Sequence, residues 1–586
     1  MKINNQGMAS YLNGKYAPSA AADEWLLRQG DMEEFSVVII IGISNGVHIK
    51  KIMDSVPKTV NILVYEPSYE IFQRAMEEVD LSFMFQMDIP VGVVVSGIND
   101  FEVEGYFRRF ISYDNMIFLK IYLSGNYKKL FPKEVEGFLK KLNSHFKDIK
   151  VNWNTTVRYT DVTTGNTLSN LRHLYEGYSM AELFQILPDG FPVIVVSAGP
   201  SLDKNILDLK KAVGKACIIA TDTAMKPLLN AGIIPDLFVI VDGLKPAELF
   251  EHKDISKTAM VTMTAVSKEP MALHKGRKFF YYGGAPFETE LVRAVSAIKG
   301  RDVNLPNFPG GGSVATFAFC TGMYMGAKTI ILVGQDLALA GNKVHADGAF
   351  KDEKVKIDMD SGEYLEVEAI DGGTVVTRID FKLYLDWFEE AVKKWPHIKV
   401  VDATEGGALI HGAKNMSLKN AIKKYCVKEY NVRWHIARLP KLFQTKEEKE
   451  YALRYFEDSI NRMDQVKKMA KEGVRNYDRI QKLTKTWPGS RKQLQNAYKK
   501  IKIINIFMEN DEVACMVTDS LKGIEYTLRP SIYKIEKNES DEIEEIAKQG
   551  KLMLEAIRIG AEEIKQILEE TLMPYVERQK EANNEE

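Results

Sequence analysis

The residues best placed to do chemistry follow the strand-like run Val193–Val196. Those four β-favouring apolar residues break into Ser197, Ala198, Gly199, Pro200 and Ser201, and an amphipathic helical pattern begins near Leu202. A buried strand that ends in a small-residue turn and a helix start makes an anion seat, because free first-turn N–H groups and the helix dipole both favour negative charge. Gly199 permits close backbone approach. Pro200 suits a first helical turn because it lacks the N–H that would go unpaired. Many α/β proteins carry such a turn for packing alone, so the turn by itself names no ligand.

Other strand ends in the same region add to it. Thr221, Asp222 and Thr223 follow a second apolar run, Asp242 and Gly243 a third, and Gly334, Gln335 and Asp336 a later one. Open α/β sheets place ligands at the carboxyl ends of their strands, so recurring small polar residues there predict a polar crevice. Asp222 and Asp242 can bind ribose hydroxyls; both can equally cap the helices that follow. A second glycine-rich helix start, Pro309, Gly310, Gly311, Gly312 and Ser313 before Val314, is a second candidate anion seat. Two seats suit a ligand that carries a phosphate and another acid group. His345 lies just past the Gln335–Asp336 strand end, where a near-neutral pKa would let it act as a general base. Glu405, after the strand-like run 398–402, can bind a hydroxyl, take a proton or cap the next turn. There is no P-loop Gly-Lys-Ser/Thr, no His-Glu-x-x-His, no Gly-x-Ser-x-Gly and no closely spaced Asp-x-Asp. We therefore expect a metal-independent reaction.

These residues must be held by a sheet. The central region, residues 156–413, reads as strands at 193–197, 216–221, 237–242, 259–264, 278–282, 329–333 and 398–402. Helical patterns lie at 202–212, 224–231, 287–298, 313–325 and 379–394, and residues 364–377 read as a hairpin through Asp371, Gly372 and Gly373. Residues 1–155 alternate strand runs at 37–41, 61–65, 91–95 and 116–122 with helical patterns, which predicts a Rossmann-like domain. Its first turn, Gly42 to Gly46, with Glu66 ending the next strand, imitates a nucleotide crevice. The glycine pattern is incomplete, and an architectural or partner-binding domain is the better expectation. Residues 414–586 lose strand character and read as a helical bundle, with a break at Pro488 and a disordered tail.

Bulk composition bounds the function. The 586 residues are 45% hydrophobic and 27% charged, with 78 basic and 80 acidic side chains and a formal net charge of -2. That balance argues against bulk nucleic-acid binding, and the length requires more than one core. Four scattered cysteines form neither a metal motif nor a disulfide framework. No apolar segment is long enough to suggest a membrane anchor, so we expect a cytoplasmic protein.

The central segments VVSAGPSL, IIATDTAMKPLLNAGIIPDLFVIVDG, PGGGSVATFAFCTGMYMGAKTIILVGQDLAL and DATEGGALI resemble the motility accessory factor family of flagellin glycosyltransferases. The resemblance implies transfer of a nonulosonic acid, pseudaminic or legionaminic in type, from its CMP-activated form to Ser or Thr hydroxyls of flagellin. No cofactor beyond that donor is implied. The central region is also distantly similar to bacterial CMP-sialic-acid-dependent sialyltransferases. That likeness assigns donor binding to Gly199, Pro200, Ser201, Gly311, Gly312 and Ser313, beside Ser197, Asp222, Thr223, Asp242, Gln335 and Asp336 of the crevice. The catalytic histidine of those enzymes has no counterpart near Val376 and Thr377, and Leu337 and Ala338 stand where phosphate-contacting tyrosines are expected. His345, Asp347 and Glu405 are the substitutes for a base. Two rivals remain: a pterin pyrophosphokinase of the same domain group, and a non-catalytic flagellin-binding chaperone.

Overall fold

The computed structural model describes all residues except 1, 6–7, 13–18, 30–31, 33–35, 87, 114, 285, 300–303, 309, 342, 350–354, 486–489, 525–538 and 586. Contacts divide the chain into two units, Met1–Arg158 with Lys522–Ile546, and Tyr159–Leu521 with Ala547–Glu586. The division after Arg158 falls inside one continuous helix, Pro132–Glu176.

The first unit opens with an antiparallel pair, β1 (Lys2–Asn5) and β2 (Met8–Tyr11). Its centre is a four-stranded parallel sheet of β3 (Val37–Ile41), β4 (Asn61–Glu66), β5 (Val91–Val95) and β6 (Lys120–Leu123), in the order β5-β4-β3-β6. β3 is buried along its whole length because alternate residues feed two cores. Val38 and Ile40 pack with Ile49 and Ile52 on one face, and Val37, Ile39 and Ile41 pack with Phe107 and Phe138 on the other. The run expected at 116–122 divides into a 3₁₀ turn, Met116–Phe118, and then β6.

Strand order reverses beside β3, where such sheets leave a ligand crevice. Here the crevice is filled by the protein itself. Glu66 Oε2 accepts hydrogen bonds from the Ile43 N–H at 2.7 Å and from the Tyr127 hydroxyl at 2.9 Å. That hydroxyl accepts the Ser44 N–H at 2.9 Å, and Glu66 Oε1 accepts the Ser68 N–H at 3.0 Å. Gly42, at φ +99°, leaves room for the Tyr127 ring; a Cβ there would lie 2.5 Å from it. Burial raises the Glu66 carboxyl to about 7, against the hydrogen bonds from Ile43, Ser68 and Tyr127 that favour its ionised form.

The second unit holds a nine-stranded, wholly parallel sheet in the order β17-β16-β13-β8-β9-β10-β11-β12-β7. The strands are β7 (Tyr178–Ser179), β8 (Val193–Val196), β9 (Cys217–Thr221), β10 (Leu237–Val239), β11 (Ala259–Thr262), β12 (Lys278–Phe280), β13 (Thr329–Val333), β16 (Lys399–Asp402) and β17 (Lys414–Asn415). β14 (Tyr364–Glu368) and β15 (Thr374–Arg378) form the expected hairpin. Helices Val314–Tyr324 and Ile379–Lys394 cover one face, with Phe319, Leu385 and Phe388 packed on Val193 and Val195. Gly322 lets the first helix approach β8, because a Cβ there would lie 2.9 Å from Val193. The helix expected at 202–212 is one α turn, Leu202–Asn205, that tightens into 3₁₀ over Ile206–Lys211.

The α/β class with a helical C-terminal region is as expected. Helix Lys446–Thr484 starts in a capping box of Thr445 and Glu448 and packs on Arg491–Asn510, Glu512–Ser520 and Met573–Glu585. Arg462 ties these helices by pairing with Asp511 and Glu512. Pro488 and Pro309 lie outside the described residues. The tail expected to be disordered is helical to Glu585. Cys217, Cys320, Cys426 and Cys515 are free thiols. No helix among the described residues is long and apolar enough to cross a membrane.

Tyr127→Phe should lower the stability of the first unit by about 1–3 kcal/mol, because the buried Ser44 N–H loses its acceptor. Faster amide exchange across Gly42–Gly46 is the expected readout; unchanged protection there would refute the role given to the hydroxyl.

Candidate functional site

Strand order in the second unit reverses between β8 and β13, and there the sequence turn 197–201 meets the 334–336 turn. A helix joining parallel strands runs against them, so helix starts collect at the carboxyl edge of the sheet. The resulting cleft encloses ≈ 620 Å³ of space, open solvent included. Ser197, Gly199, Asp222, Thr223, Ser313, Gln335, Asp336 and His345 line it, as the sequence expected. Lys245, Val314, Phe381 and Tyr384 line it too.

The first anion seat is already taken. Asp336 reaches across from β13, and its Oδ2 accepts the Ser201 hydroxyl at 2.7 Å while its Oδ1 accepts the Ser201 N–H at 3.1 Å. Gly199 is a glycine for this reason: a Cβ would lie 2.0 Å from Asp336 Oδ2 and 2.5 Å from the Gly334 carbonyl. Gly407, at φ +83°, is likewise required, because a Cβ there would lie 2.2 Å from the Asp336 carbonyl. Burial raises the Asp336 carboxyl above its usual range, opposed by the two Ser201 bonds and by Lys204. Asp402 behind it is pushed up to about 6, mainly by burial, with Asp336 adding to the rise. Ser197 donates to Gln335 Oε1 at 2.6 Å, which fixes the amide at the cleft floor. Ser201 belongs to this internal contact, and neither it nor Pro200 lines the cleft.

The second seat is open. Ser313 caps helix Val314–Tyr324 in a reciprocal box with Thr316, whose hydroxyl also accepts the Gly311 N–H at 2.9 Å. The first-turn N–H groups of Val314 and Ala315 have no intrahelical acceptor, and both residues line the cleft. Gly311 makes room for the Trp387 ring, 2.3 Å from where its Cβ would be, and Gly312 takes φ +83°. These two glycines shape the turn rather than line the cleft.

Lys245 is the residue the sequence reading missed. Its Nζ lies 3.2 Å from Asp222 Oδ2, 3.9 Å from Asp242 Oδ2 and 3.4 Å from the Thr223 hydroxyl. Asp222 is 1% exposed, so the ammonium is its charge partner. Asp242 stands behind Lys245, holds the Leu244 N–H at 2.9 Å and does not itself line the cleft. The loop is pinned from below by helix Pro132–Glu176. Asn166 Nδ2 donates to the Gly243 carbonyl at 2.9 Å and the Ala265 carbonyl at 3.3 Å, and Asn170 Nδ2 to the Thr264 and Val266 carbonyls at 2.8 Å. Tyr384 and Phe381 reach the cleft from the first turns of helix Ile379–Lys394. Burial raises the Tyr384 hydroxyl pKa, with Asp380 adding.

The three candidate bases separate. His345 lines the cleft, and burial, Lys245 and Arg378 together hold its pKa below the usual 6.5. Asp347 lies outside, with its side chain 73% exposed and ion-paired to Lys343 at 2.5 Å. Glu405 also lies outside. Its Oε1 accepts the Leu418 N–H at 2.9 Å and Asn205 Nδ2 at 3.1 Å, which makes it the cap of helix Leu418–Tyr425. His411 is likewise away from the cleft, held by Glu389 at 2.5 Å and Glu368 at 3.1 Å. Among the described residues no group of three or more His, Cys, Asp or Glu side chains is placed to hold a metal ion.

Residues 165–342 match the family described as 6-hydroxymethylpterin diphosphokinase MptE-like. Two proteins of Treponema pallidum (strain Nichols), each described as uncharacterized, are similar in sequence. One is 24% identical over 226 residues, covering 32% of this chain and 57% of that protein. The other is 28% identical over 120 residues, covering 20% and 54%. The chain therefore spans about half the length of the curated relatives it matches. Among solved structures, the MAf glycosyltransferase from Magnetospirillum magneticum AMB-1 matches with a TM-score of 0.58 at 13% identity, over 98% of this chain and 93% of that one. At that identity the likeness is one of fold.

Gly199→Ala should destabilise the second unit by about 1–3 kcal/mol, because neither Asp336 nor the Gly334 carbonyl can retreat. Gly165→Ala, with nothing within 4 Å of the added carbon, should leave the thermal midpoint unchanged or raised. Equal midpoints for the two variants would exclude the close approach.

Proposed function

We propose that the chain is a cytoplasmic glycosyltransferase that moves a nonulosonic acid from a CMP-linked donor to Ser or Thr hydroxyls of flagellin. The observation that carries this reading is the pairing, in one cleft, of an open helix start at Val314 with the ammonium of Lys245. A CMP-nonulosonate presents one phosphate and one carboxylate, and the cleft offers one positive partner to each. The shared fold with a solved glycosyltransferase supports the same class.

In this reading the N–H groups of Val314 and Ala315 receive one anionic group and Lys245 the other. Both are fixed before the donor arrives, so they stabilise the charge that grows on the departing phosphate without reorganising. Asp222 and Thr223 remain for hydroxyls of the donor. Asp222 also holds the Lys245 ammonium at the cleft. His345, held below its usual pKa, is neutral near pH 7 and can accept the proton of the attacking hydroxyl. Phe381 and Tyr384 supply an apolar and aromatic wall that excludes water from the reacting centre.

The family match over 165–342 favours a second reading, a pterin diphosphokinase. That chemistry uses ATP with a divalent cation. A cation shared by Asp222 and Asp242 would have to displace Lys245, which already lies between them. This geometry favours the transferase.

Purified protein, flagellin and a CMP-nonulosonate should yield flagellin with a stepwise increase in intact mass, unaffected by EDTA. No increment with any CMP-nonulosonate would refute the transferase, and would favour the non-catalytic chaperone if flagellin still bound. EDTA-sensitive pyrophosphoryl transfer to a pterin would establish the second reading. Lys245→Met should lower kcat/KM for the donor about 100-fold. Pairing it with Asp222→Asn removes both charges and should restore the thermal midpoint without restoring turnover. The acid limb of the pH–rate profile should lie below pH 6.5, the usual histidine value, because His345 is shifted down. A limb above that value would remove His345 from the role.

A further inference from the structure

A second cavity opens on the opposite edge of the nine-stranded sheet, at the amino ends of β7 and β12. It encloses ≈ 640 Å³ of space open to solvent, and its polar wall is His173, Glu176, Lys275, Arg277, Lys278 and Lys441. Four cations thus face one carboxylate. Glu176 is already engaged, accepting the Tyr575 hydroxyl at 2.8 Å. Lys275 donates to the Ala272 carbonyl at 2.6 Å, and Arg277 bonds the Leu439 and Ala437 carbonyls while lying over the Tyr178 ring. Neither Lys278 nor Lys441 forms an ion pair among the described residues. Two further groups are buried without a hydrogen-bond partner, His173 Nε2 and, on the same helix turn, Arg172 Nε. Buried donors left unmet cost stability, and like charges gathered without a counter-ion repel. The arrangement suits an anion with several acceptor oxygens.

We propose that this pocket binds a phosphate-bearing small molecule with at least two negative charges, at a site separate from the cleft. A phosphoryl group offers enough oxygens to meet Lys278, Lys441 and His173 at once, and its charge offsets the surplus of cations. The wall is preformed. Gly177 packs under Phe280 and Gly276 against the Ser256 carbonyl, where a Cβ would lie within 2.5 Å in either case. Occupancy would join the end of helix Pro132–Glu176, the start of β12 and the segment that carries Lys441.

The groups around Lys278 give the site a proton signature. Burial holds Lys278 down at about 8; Glu176 opposes the shift, and Lys275 and Arg172 add to it. His173 is pushed down to about 3 by burial, Lys278, Arg172, Lys275 and His274, so it stays neutral in the working range. An arriving dianion therefore raises the Lys278 pKa, and binding near pH 8 takes up protons. Affinity falls as pH rises through that value.

Titration calorimetry of the full chain with inorganic pyrophosphate tests the site at low ionic strength. Expected are saturable binding, proton uptake read from two buffers of different ionisation heat, and a loss of about 10-fold or more in affinity for Lys278→Met. Lys441→Glu alters an exposed residue, so the fold is kept, and it should weaken binding at least as much. Lys245→Met, in the cleft, should leave this binding unchanged, which separates the pocket from the transferase reading. No saturable heat, or binding lost in Lys245→Met and retained in Lys441→Glu, would overturn the proposal.

Discussion

The second unit depends on one carboxylate. Asp336 leaves β13, crosses the point where strand order reverses and sits on the N–H and hydroxyl of Ser201. To admit it, positions 199 and 407 must lack a Cβ, and Gly334 must turn at φ +65°. The first unit solves the same problem with the same chemistry. Glu66 leaves β4 and satisfies the N–H groups of Ile43 and Ser68, with Tyr127 closing the remaining space. In both, an internal anion occupies the place where a nucleotide phosphate sits in many sheets of this kind. Each carboxylate is buried and raised in pKa, so it is retained for the backbone donors it satisfies rather than for its charge.

That substitution moves the binding chemistry elsewhere. With the turn after β8 already neutralised, the positive character of the cleft comes from Lys245 and from the start of helix Val314–Tyr324. The first is a side chain held by two aspartates, the second a backbone dipole held by a serine–threonine box. Both are held by partners within the protein, so neither has to be ordered by a ligand.

Much of this fold was legible because buried parallel strands write themselves as continuous runs of Val and Ile. VVIII, VIVV and TIILV each became a strand at the expected place. Ser197, Asp222 and Gln335, which follow buried strands, and the later His345 line the cleft. The turn 197–201 misled for a definite reason. Gly-Pro-Ser before a helix reads the same whether its N–H groups face a ligand or a carboxylate 135 residues away. Lys245 was hidden because a lysine three residues past a strand-end aspartate has no periodic signature. Tyr384 was hidden because it shares a helical stripe with Phe381, Trp387 and Phe388, which reads as core and mostly is. Glu405 was a candidate base because it follows a strand end; in the structure Gly407 beside it makes room for Asp336, and the glutamate serves a helix.

The two asparagines on helix Pro132–Glu176 have a mechanical meaning. One turn apart, Asn166 and Asn170 hold four carbonyls from the segments that follow β10 and β11. The Gly243 carbonyl lies in the loop that carries Lys245, so unwinding the helix back through Asn166 removes one of that loop's anchors. The end of the helix and the cationic wall of the cleft are therefore mechanically linked, and a partner that loosens the one loosens a support of the other.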